Sequence, residues 1–373
     1  MAPLLVDLDV YLADPSSPAA QAEARKAAES LILTGALVVR DSRAPKEAND
    51  RFLDLFEDYF ALPQAELEKD ERPEIGYQVG VTLENTEKPK CSRDDECQAI
   101  IASLDPAERP LDLTGHDADP KCRFFHRMAD RPPYESKFPI STAPNVVPKA
   151  FEATWEEGVS EWGGFIKQAV EGVARMVAAG LDLDEKTFLD AGRYGSHLLA
   201  PTATDLVKFG ELDSIYAGFH TDLNFLTIHG QSRYPGLNIW ARNTGQRIPA
   251  RVPEGCLLVQ AGKQLEWLTG GLIKGQLCRR RGLKLTFAAG FHEVVCNQAT
   301  LDAIARRKQT HPDRPLTRIS STFFWHLTPD FPLAAMPELR KRAEDRFGPQ
   351  KQYGEMLVGD QVRQELGLIA LMS

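Results

Sequence analysis

The stretch Gly218-Phe219-His220-Thr221-Asp222-Leu223-Asn224-Phe225-Leu226-Thr227 carries the pattern on which the fold and chemistry of this chain depend. Its apolar and β-branched residues around a polar pair predict a β-strand. Because side chains two residues apart on a strand share a face, we expect His220 and Asp222 to converge. Together with a second, distant histidine they would form a three-ligand set typical of non-haem Fe(II) sites. A buried structural histidine followed by an aspartate in a turn would have the same His-x-Asp sequence. The metal-site interpretation therefore depends on finding a third ligand.

We expect that third ligand to be His292, one of eight histidines in the chain. It lies in the strand-like run 290–296, far enough from the pair for several strands to intervene. His229 is the main competitor, but its odd spacing from the pair predicts that it faces the other side of the strand. The other histidines are expected to be structural or superficial: His197 structural, His326 in the core or at the rim, and His116, His126 and His311 at the surface.

A candidate anion anchor follows in the run 317–324, where Arg318 and Ser320 share one face of a predicted strand. A guanidinium in apolar surroundings needs an anionic partner. A hydroxyl beside it suits a carboxylate bound through paired hydrogen bonds. A structural pair between Arg318 and an acidic residue is the alternative, and the metal ligands upstream favour the ligand-binding interpretation.

The ordered series His220-x-Asp222, His292 and Arg318-x-Ser320 resembles the iron- and 2-oxoglutarate-dependent dioxygenases, specifically the isopenicillin N synthase-like group. Further matching segments run over most of the chain: Phe60-Ala61-Leu62-Pro63, Gly76-Tyr77, Gly236-Leu237-Asn238-Ile239-Trp240, Thr269-Gly270-Gly271 and Pro329-Asp330-Phe331-Pro332. The resemblance implies Fe(II) bound by His220, Asp222 and His292, and 2-oxoglutarate held by Arg318 and Ser320. It also implies that dioxygen oxidises a small organic substrate, with hydroxylation as the default outcome, while succinate and CO2 are released.

Several residues depart from the family pattern. Lys263 follows Gly262 where the family usually has Asp, Gln260 stands where it has Asn, and its co-substrate tyrosine is not visible. The spacing from Asp222 to His292 is longer than in the family, and the excess localises to the basic segment 275–288. This segment is either a loop on the barrel rim or a retained intron in the gene model. Counted without a gap, Cys278 falls near the family's histidine position, but a thiolate would be unusual there and we favour His292.

The pattern along the chain predicts mixed α and β structure with a double-stranded β-helix (jelly-roll) core and flanking helices. Short strands broken by Gly, Pro, Asn and Asp fill the run 196–327. We expect an N-terminal mixed region over 1–145, a helix and catalytic core over 146–335, and C-terminal helices over 336–373. The run 64–145 reads as an irregular, substrate-facing region.

Composition limits the classes of function. The net charge of −9 argues against non-specific nucleic-acid binding. We expect no signal peptide and no membrane span. The six cysteines show no Cys-x-x-Cys pair and no regular framework, so a cytoplasmic protein with free thiols is expected. A zinc site built from Cys91, Cys97, Cys122, His116 and His126 is a minor alternative, because the spacings fit no common pattern.

Two other functions remain open at this point. A relative within the same group could use iron and dioxygen without 2-oxoglutarate, so that Arg318 and Ser320 would hold a substrate carboxylate instead. A barrel that has lost its metal and binds a ligand or partner without catalysis is the second. Substrate identity and oligomeric state are not readable from the sequence.

Overall fold

A ten-stranded and a four-stranded β-sheet, two small two-stranded sheets and the helices around them make up the described part of this computed structural model. The structure describes residues 2–89, 91, 94–113, 118–242, 244–273, 277–280, 283–286 and 290–369. Within these residues no helix is both long enough and apolar enough to cross a membrane.

The strands are β1 (Leu5–Asp7), β2 (Ala36–Arg40), β3 (Gly80–Thr82), β4 (Cys122–Arg127), β5 (Leu198–Leu199), β6 (Thr202–Asp205), β7 (Ile215–His220), β8 (Leu226–His229), β9 (Leu237–Trp240), β10 (Arg247–Pro249), β11 (Cys256–Ala261), β12 (Leu277–Arg280), β13 (Leu283–Thr286), β14 (His292–Val295), β15 (Thr317–Ser320), β16 (Thr322–Trp325), β17 (Pro332–Leu333) and β18 (Met356–Leu357). The helices are α1 (Leu8–Ala13), α2 (Pro18–Thr34), α3 (Lys46–Phe60), α4 (Gln64–Leu67), α5 (Asp95–Ser103), α6 (Trp155–Gly180), α7 (Thr187–Gly192), α8 (Leu206–Phe209), α9 (Lys263–Leu268), α10 (Gln298–Thr310), α11 (Pro337–Phe347) and α12 (Val358–Leu368).

The larger sheet has the strand order β1-β2-β11-β8-β16-β5-β4-β6-β15, with β3 paired to β4. The four-stranded sheet, referred to as the smaller sheet, has the order β10-β9-β14-β7, and the two-stranded sheets are β12 with β13 and β17 with β18. From β7 onward the chain passes repeatedly between the two sheets, since β7, β9 and β14 belong to the smaller one and β8, β11 and β16 to the larger. This alternation brings residues that are far apart in sequence to neighbouring strands.

Helices α2, α3 and α6 supply much of the core beside the larger sheet. The start of α2 follows local chemistry, because the Ser17 side chain accepts a hydrogen bond from Ala20 N and Pro18 occupies the first turn. Gly35, with a φ of 75°, ends this helix in the left-handed conformation. Aromatic residues of α3 pack on α6, where the ring centroids of Phe56 and Trp155 are 5.1 Å apart.

Two expectations about the N-terminal part are wrong. The run 64–145 is not wholly irregular, because it contains α5 and the strand β4, which joins the interior of the larger sheet. Alternation in β4 is obscured by Arg123, whose side chain is 12% exposed and forms an ion pair with Glu87 instead of facing solvent. The thiols of Cys91 and Cys97 are joined in a disulfide, with Cα atoms 5.3 Å apart, a separation in the ordinary range for such bonds. Cys122, Cys256 and Cys296 are free, as expected.

The segment 275–288 is described only in part. Its strands β12 and β13 pair antiparallel with each other, with Arg280 opposite Leu283. The side chain of Cys278, considered above as a ligand, lies outside the described part of the chain, as does His116. The choice between a genuine loop and a gene-model artefact stays a prediction for transcript sequencing.

Candidate active site

Two imidazoles face each other where the smaller sheet ends. His220 is the last residue of β7 and His292 the first of β14, and the two are direct partners in the antiparallel register. Their ring centroids are 4.2 Å apart. Sheet pairing therefore brings together two histidines that are far apart in sequence.

The same backbone contact orients both rings. Nδ1 of His220 lies 2.6 Å from the carbonyl oxygen of Gly218, and Nδ1 of His292 lies 2.8 Å from that of Gly290. Because a carbonyl oxygen can only accept, each Nδ1 must carry the proton. Each Nε2 therefore keeps its lone pair, which is the form that binds a metal ion.

Asp222 completes the group, although not from the strand that the sequence predicted. The expectation of one continuous strand is wrong, because β7 stops at His220 and the chain turns to enter β8 in the other sheet. Asp222 lies in this turn, and its carbonyl oxygen accepts a hydrogen bond from Lys263 N. Its Oδ1 is 3.8 Å from Nε2 of both histidines, and its Oδ2 accepts a 2.6 Å hydrogen bond from the Thr227 hydroxyl.

The protonation states suit metal binding. Burial, aided by the neighbouring His292, lowers the pKa of His220 to about 4. Burial would raise the pKa of Asp222, but the two histidines and the hydrogen bond from Thr227 outweigh it and the pKa is lowered. At neutral pH His220 is therefore a neutral imidazole and Asp222 an ionised carboxylate, the states that metal ligation requires. One potential ligand atom from each of the three residues can be chosen so that all three lie within 4.8 Å of one another.

A cationic subsite lies in the same cavity. Arg318 is buried on β15, opposite Thr204 of β6, and Ser320 follows two residues later. No Asp or Glu of the described residues forms an ion pair with Arg318, and its buried Nε has no hydrogen-bond partner among them. Burial lowers the pKa of Arg318 to about 10. A buried, charged guanidinium without a protein carboxylate fits an anionic ligand that binds there.

His229 also lines the cavity, so the expectation that it faces away is wrong. The turn between β7 and β8 resets the alternation of side chains on which that expectation depended. Its Nε2 donates to Oε1 of Gln260 over 2.9 Å, and its Nδ1 accepts from the hydroxyl of Thr322 over 3.0 Å. The Thr322 hydroxyl lies 2.5 Å from that of Ser320. A chain of hydrogen bonds thus connects His229 to the arginine subsite.

Other cavity residues were missed by sequence reasoning. Tyr216 lies beside the Arg318 subsite, and its even spacing from His220 on β7 could have identified it.

His326 is a buried cavity-lining residue, consistent with the expected core or rim position. His126 is buried, against expectation, and bonds to Asn145 over 3.1 Å. His197 is buried and stacked on a core tryptophan, and His311 is exposed, as expected of both.

Gly290 holds the backbone just before His292 in a crowded position. It has a φ of 60°, and a Cβ placed on it would lie 2.6 Å from the carbonyl oxygen of Ala261. Gly35 packs on the other side, where an added Cβ would be 2.8 Å from Gly290 N. Only glycine satisfies both the left-handed conformation and this close approach.

Comparison with known proteins addresses the fold. No family model and no curated protein matches the chain. A protein described as a 2OG-Fe(II) oxygenase family member from Caulobacter crescentus superposes with a TM-score of 0.69 at 19% identity, covering 98% of both chains. A full-length Neurospora crassa protein, solved in complex with alpha-KG, matches with a TM-score of 0.68 at 17% identity, covering 97% of this chain and 95% of that one. The rice dioxygenase for auxin oxidation matches with a TM-score of 0.60 at 16% identity, covering 98% and 95%.

These similarities extend over nearly the full length of each protein, and at such low identity they concern the arrangement of the chain in space. They confirm the mixed α and β architecture expected from the motif series. The protein has the fold of the 2OG-Fe(II) oxygenases.

Proposed function

We propose that the protein is an Fe(II)- and 2-oxoglutarate-dependent oxygenase that oxidises a small organic substrate, by default through hydroxylation. The observation that carries the proposal is the convergence of His220, Asp222 and His292 in one cavity with a buried Arg318 that forms no ion pair with any Asp or Glu of the described residues. The structural neighbours add support, because several of them are described as binding alpha-KG or 2OG, and the Neurospora crassa protein was also solved with thymine.

The proposed roles follow from the chemistry of each side chain. His220, Asp222 and His292 would hold Fe(II) through two imidazole nitrogens and one carboxylate oxygen, leaving positions for other ligands. Arg318 and Ser320 would bind the distal carboxylate of 2-oxoglutarate. Iron and 2-oxoglutarate held by these residues would supply the activation of dioxygen, with oxidation of the co-substrate to succinate and CO2. The protein supplies binding, orientation and exclusion of water.

Residues around the cavity would exclude water from the reacting groups. Val362, Leu366 and Ile369 of the C-terminal segment line the cavity. Gln361 fastens this segment by donating from Nε2 to the carbonyl oxygen of Leu223 over 3.2 Å, close to the proposed metal ligand Asp222. A dry cavity strengthens electrostatic interactions inside it and protects reactive species from side reactions.

We also propose that the two sheets form a double-stranded β-helix. The passage of successive strands from one sheet to the other between β7 and β16 supports this arrangement. The proposed division of the chain stays the one drawn from the sequence: a mixed region over 1–145, the core over 146–335 and C-terminal helices over 336–373.

Anaerobic titration with Fe(II), followed by 2-oxoglutarate, tests the proposal. We expect one tightly bound iron per chain in the native protein, loss of that binding in His220→Ala, and no change in His311→Ala, which alters an exposed histidine. Succinate formation from 2-oxoglutarate, followed while small molecules are screened, tests catalysis. Iron binding without 2-oxoglutarate binding would favour an oxidase that does not use this co-substrate. Equal iron stoichiometry in native protein and His220→Ala would contradict the proposed site.

A further inference from the structure

Four charged side chains form one wall of the cavity. Glu87, Asp119, Lys121 and Arg123 all line it, and each side chain is at most 13% exposed. Nζ of Lys121 lies 3.0 Å from Oε2 of Glu87 and 2.6 Å from Oδ2 of Asp119. Arg123 forms a close ion pair with Glu87. We refer to these four residues as the charged quartet.

The charged quartet is attached to the strand that carries the proposed metal ligand His220. Oδ1 of Asp119 accepts a 3.2 Å hydrogen bond from the backbone N–H of Gly218, two residues before His220 on β7. Lys121 and Arg123 lie within the run that the sequence predicted to be irregular, Arg123 on β4 and Lys121 just before it. The quartet therefore has a fixed position relative to the proposed metal site.

Within the charged quartet the formal charges are balanced. Each of its two cations is already paired with a carboxylate of the quartet, so a carboxylate bound against these four side chains would have to compete with Glu87 and Asp119 for them. Burying a charge without compensation is costly, whereas a neutral polar group needs only hydrogen bonds. The balance therefore favours a neutral group at this wall.

Donors remain for such a group. An ammonium carries three N–H donors, and the two carboxylates account for two of those of Lys121. The buried Nε of Arg123 has no hydrogen-bond partner among the described residues. Carboxylate oxygens each accept more than one hydrogen bond, so Glu87 can accept from a ligand in addition to its protein partners. Donors and acceptors thus lie side by side.

Apolar surface completes this side of the cavity. The rings of Phe125 and Phe324 both line it and meet edge to face with centroids 6.1 Å apart. The guanidinium carbon of Arg123 lies 3.9 Å from the centroid of Phe125. The cavity volume of about 210 Å³ restricts the ligand to a small molecule.

From this wall we infer that the charged quartet recognises the substrate, and that the substrate is a small molecule with a neutral amide-type group attached to an apolar or aromatic body. The inference rests on the function proposed above. The carbonyl oxygen of the amide-type group accepts from Arg123 and Lys121, and its N–H donates to a carboxylate of the quartet. The apolar body packs on Phe125 and Phe324. Arg318 lies outside the quartet and is reserved for the co-substrate.

Isothermal titration of the anaerobic protein, loaded with Fe(II) and 2-oxoglutarate, tests this inference with three matched probes. We expect 4-methylbenzamide to bind at least about tenfold more tightly than 4-methylbenzoate and para-xylene. Only the amide forms hydrogen bonds with the charged quartet without adding a charge. Equal or tighter binding of the carboxylate, or no binding of the amide, would overturn the inference. Failure to load Fe(II) or 2-oxoglutarate would instead overturn the proposed function and this inference with it.

A pair of variants on one strand locates the recognition. Arg123→Lys keeps the charge opposite Glu87 but removes Nε, and should weaken binding of 4-methylbenzamide by about tenfold with 2-oxoglutarate affinity retained. Arg127→Lys is the matched control, because Arg127 lies on the same strand but donates to the backbone carbonyl of Ala143 outside the cavity. Equal effects of the two variants would contradict the assignment. The ranking of probes on the native protein needs no variant and decides the inference if either variant fails to fold.

Discussion

Replacing Arg318 with methionine should reduce co-substrate binding without reducing the stability of the metal-free protein. The guanidinium is buried and has no ion-pair partner among the described residues. Methionine keeps an unbranched side chain of comparable length and removes the charge. Most buried charges are paired with a second protein charge. Removing one member of such a pair destabilises the protein considerably, because the other charge is left unpaired in an apolar environment. For Arg318 the structure predicts no such loss of stability.

The magnitude follows from the environment of Arg318. Burial lowers its pKa from 12.5 to about 10, and a shift of this size corresponds to about 3 kcal/mol of unfavourable desolvation. This penalty is fully present at neutral pH, because the guanidinium is protonated in both the folded and the unfolded chain. On binding, two hydrogen bonds from the guanidinium to a carboxylate contribute about 3 kcal/mol, or roughly 100-fold in the dissociation constant.

Two measurements check this prediction. Urea unfolding of metal-free Arg318→Met should give an unfolding free energy equal to or higher than that of the native protein. Titration with 2-oxoglutarate in the presence of anaerobic Fe(II) should show the roughly 100-fold loss. Arg233→Met is the matched control, because Arg233 pairs with the buried Glu57 over 2.7 Å and its loss should destabilise the protein. A marked loss of stability in Arg318→Met, or unchanged 2-oxoglutarate affinity, would refute the reasoning.

Three further predictions concern metal affinity, pH and stability. Thr227→Val removes the hydrogen bond to Oδ2 of Asp222 and should weaken Fe(II) binding by about tenfold, measured by anaerobic titration; unchanged affinity would mean that Thr227 does not orient the carboxylate. Burial lowers the pKa of His126 from 6.5 to about 4. As the pH falls below about 6.5, this histidine therefore takes up a proton in the unfolded chain but not in the folded one, and the free energy of unfolding decreases until about pH 4. His126→Gln should flatten this decline in urea midpoints, whereas His311→Gln should not. Glu57→Gln leaves three arginines facing a neutral amide and should reduce the unfolding free energy by about 3–5 kcal/mol; a loss below about 1 kcal/mol would contradict a structural role for this cluster.

The sequence was sufficient to predict that His220, Asp222 and His292 come together, and that Arg318 and Ser320 lie in the same cavity. Period-two spacing within short strands and the order of the motifs carried that information. The prediction that His220 and Asp222 lie on one continuous strand was nevertheless wrong, since Asp222 belongs to a turn. It converges with His220 because the chain there leaves one sheet for the other.

Residues that depend on long-range packing escaped prediction. Lys121 and Arg123 look like surface residues in a charged, proline-rich region, and the pairing of β4 with β5 and β6 is what buries this part of the chain. His229 faces the cavity because of a turn whose effect on side-chain direction no local pattern records. Tyr216 could have been found from its spacing to His220, but its position beside Arg318 depends on the meeting of two sheets.

The glycine in front of His292 has a consequence for how this protein tolerates change. Gly290 is wedged between Ala261 and Gly35, so the backbone is fixed immediately before the proposed ligand. Because the backbone is fixed at Gly290, the length of the segment 274–289 should have little influence on the position of the His292 imidazole. Insertions or deletions upstream of Gly290 should therefore leave the position of His292 unchanged, and a variant in which this segment is shortened should still bind Fe(II) at the proposed site.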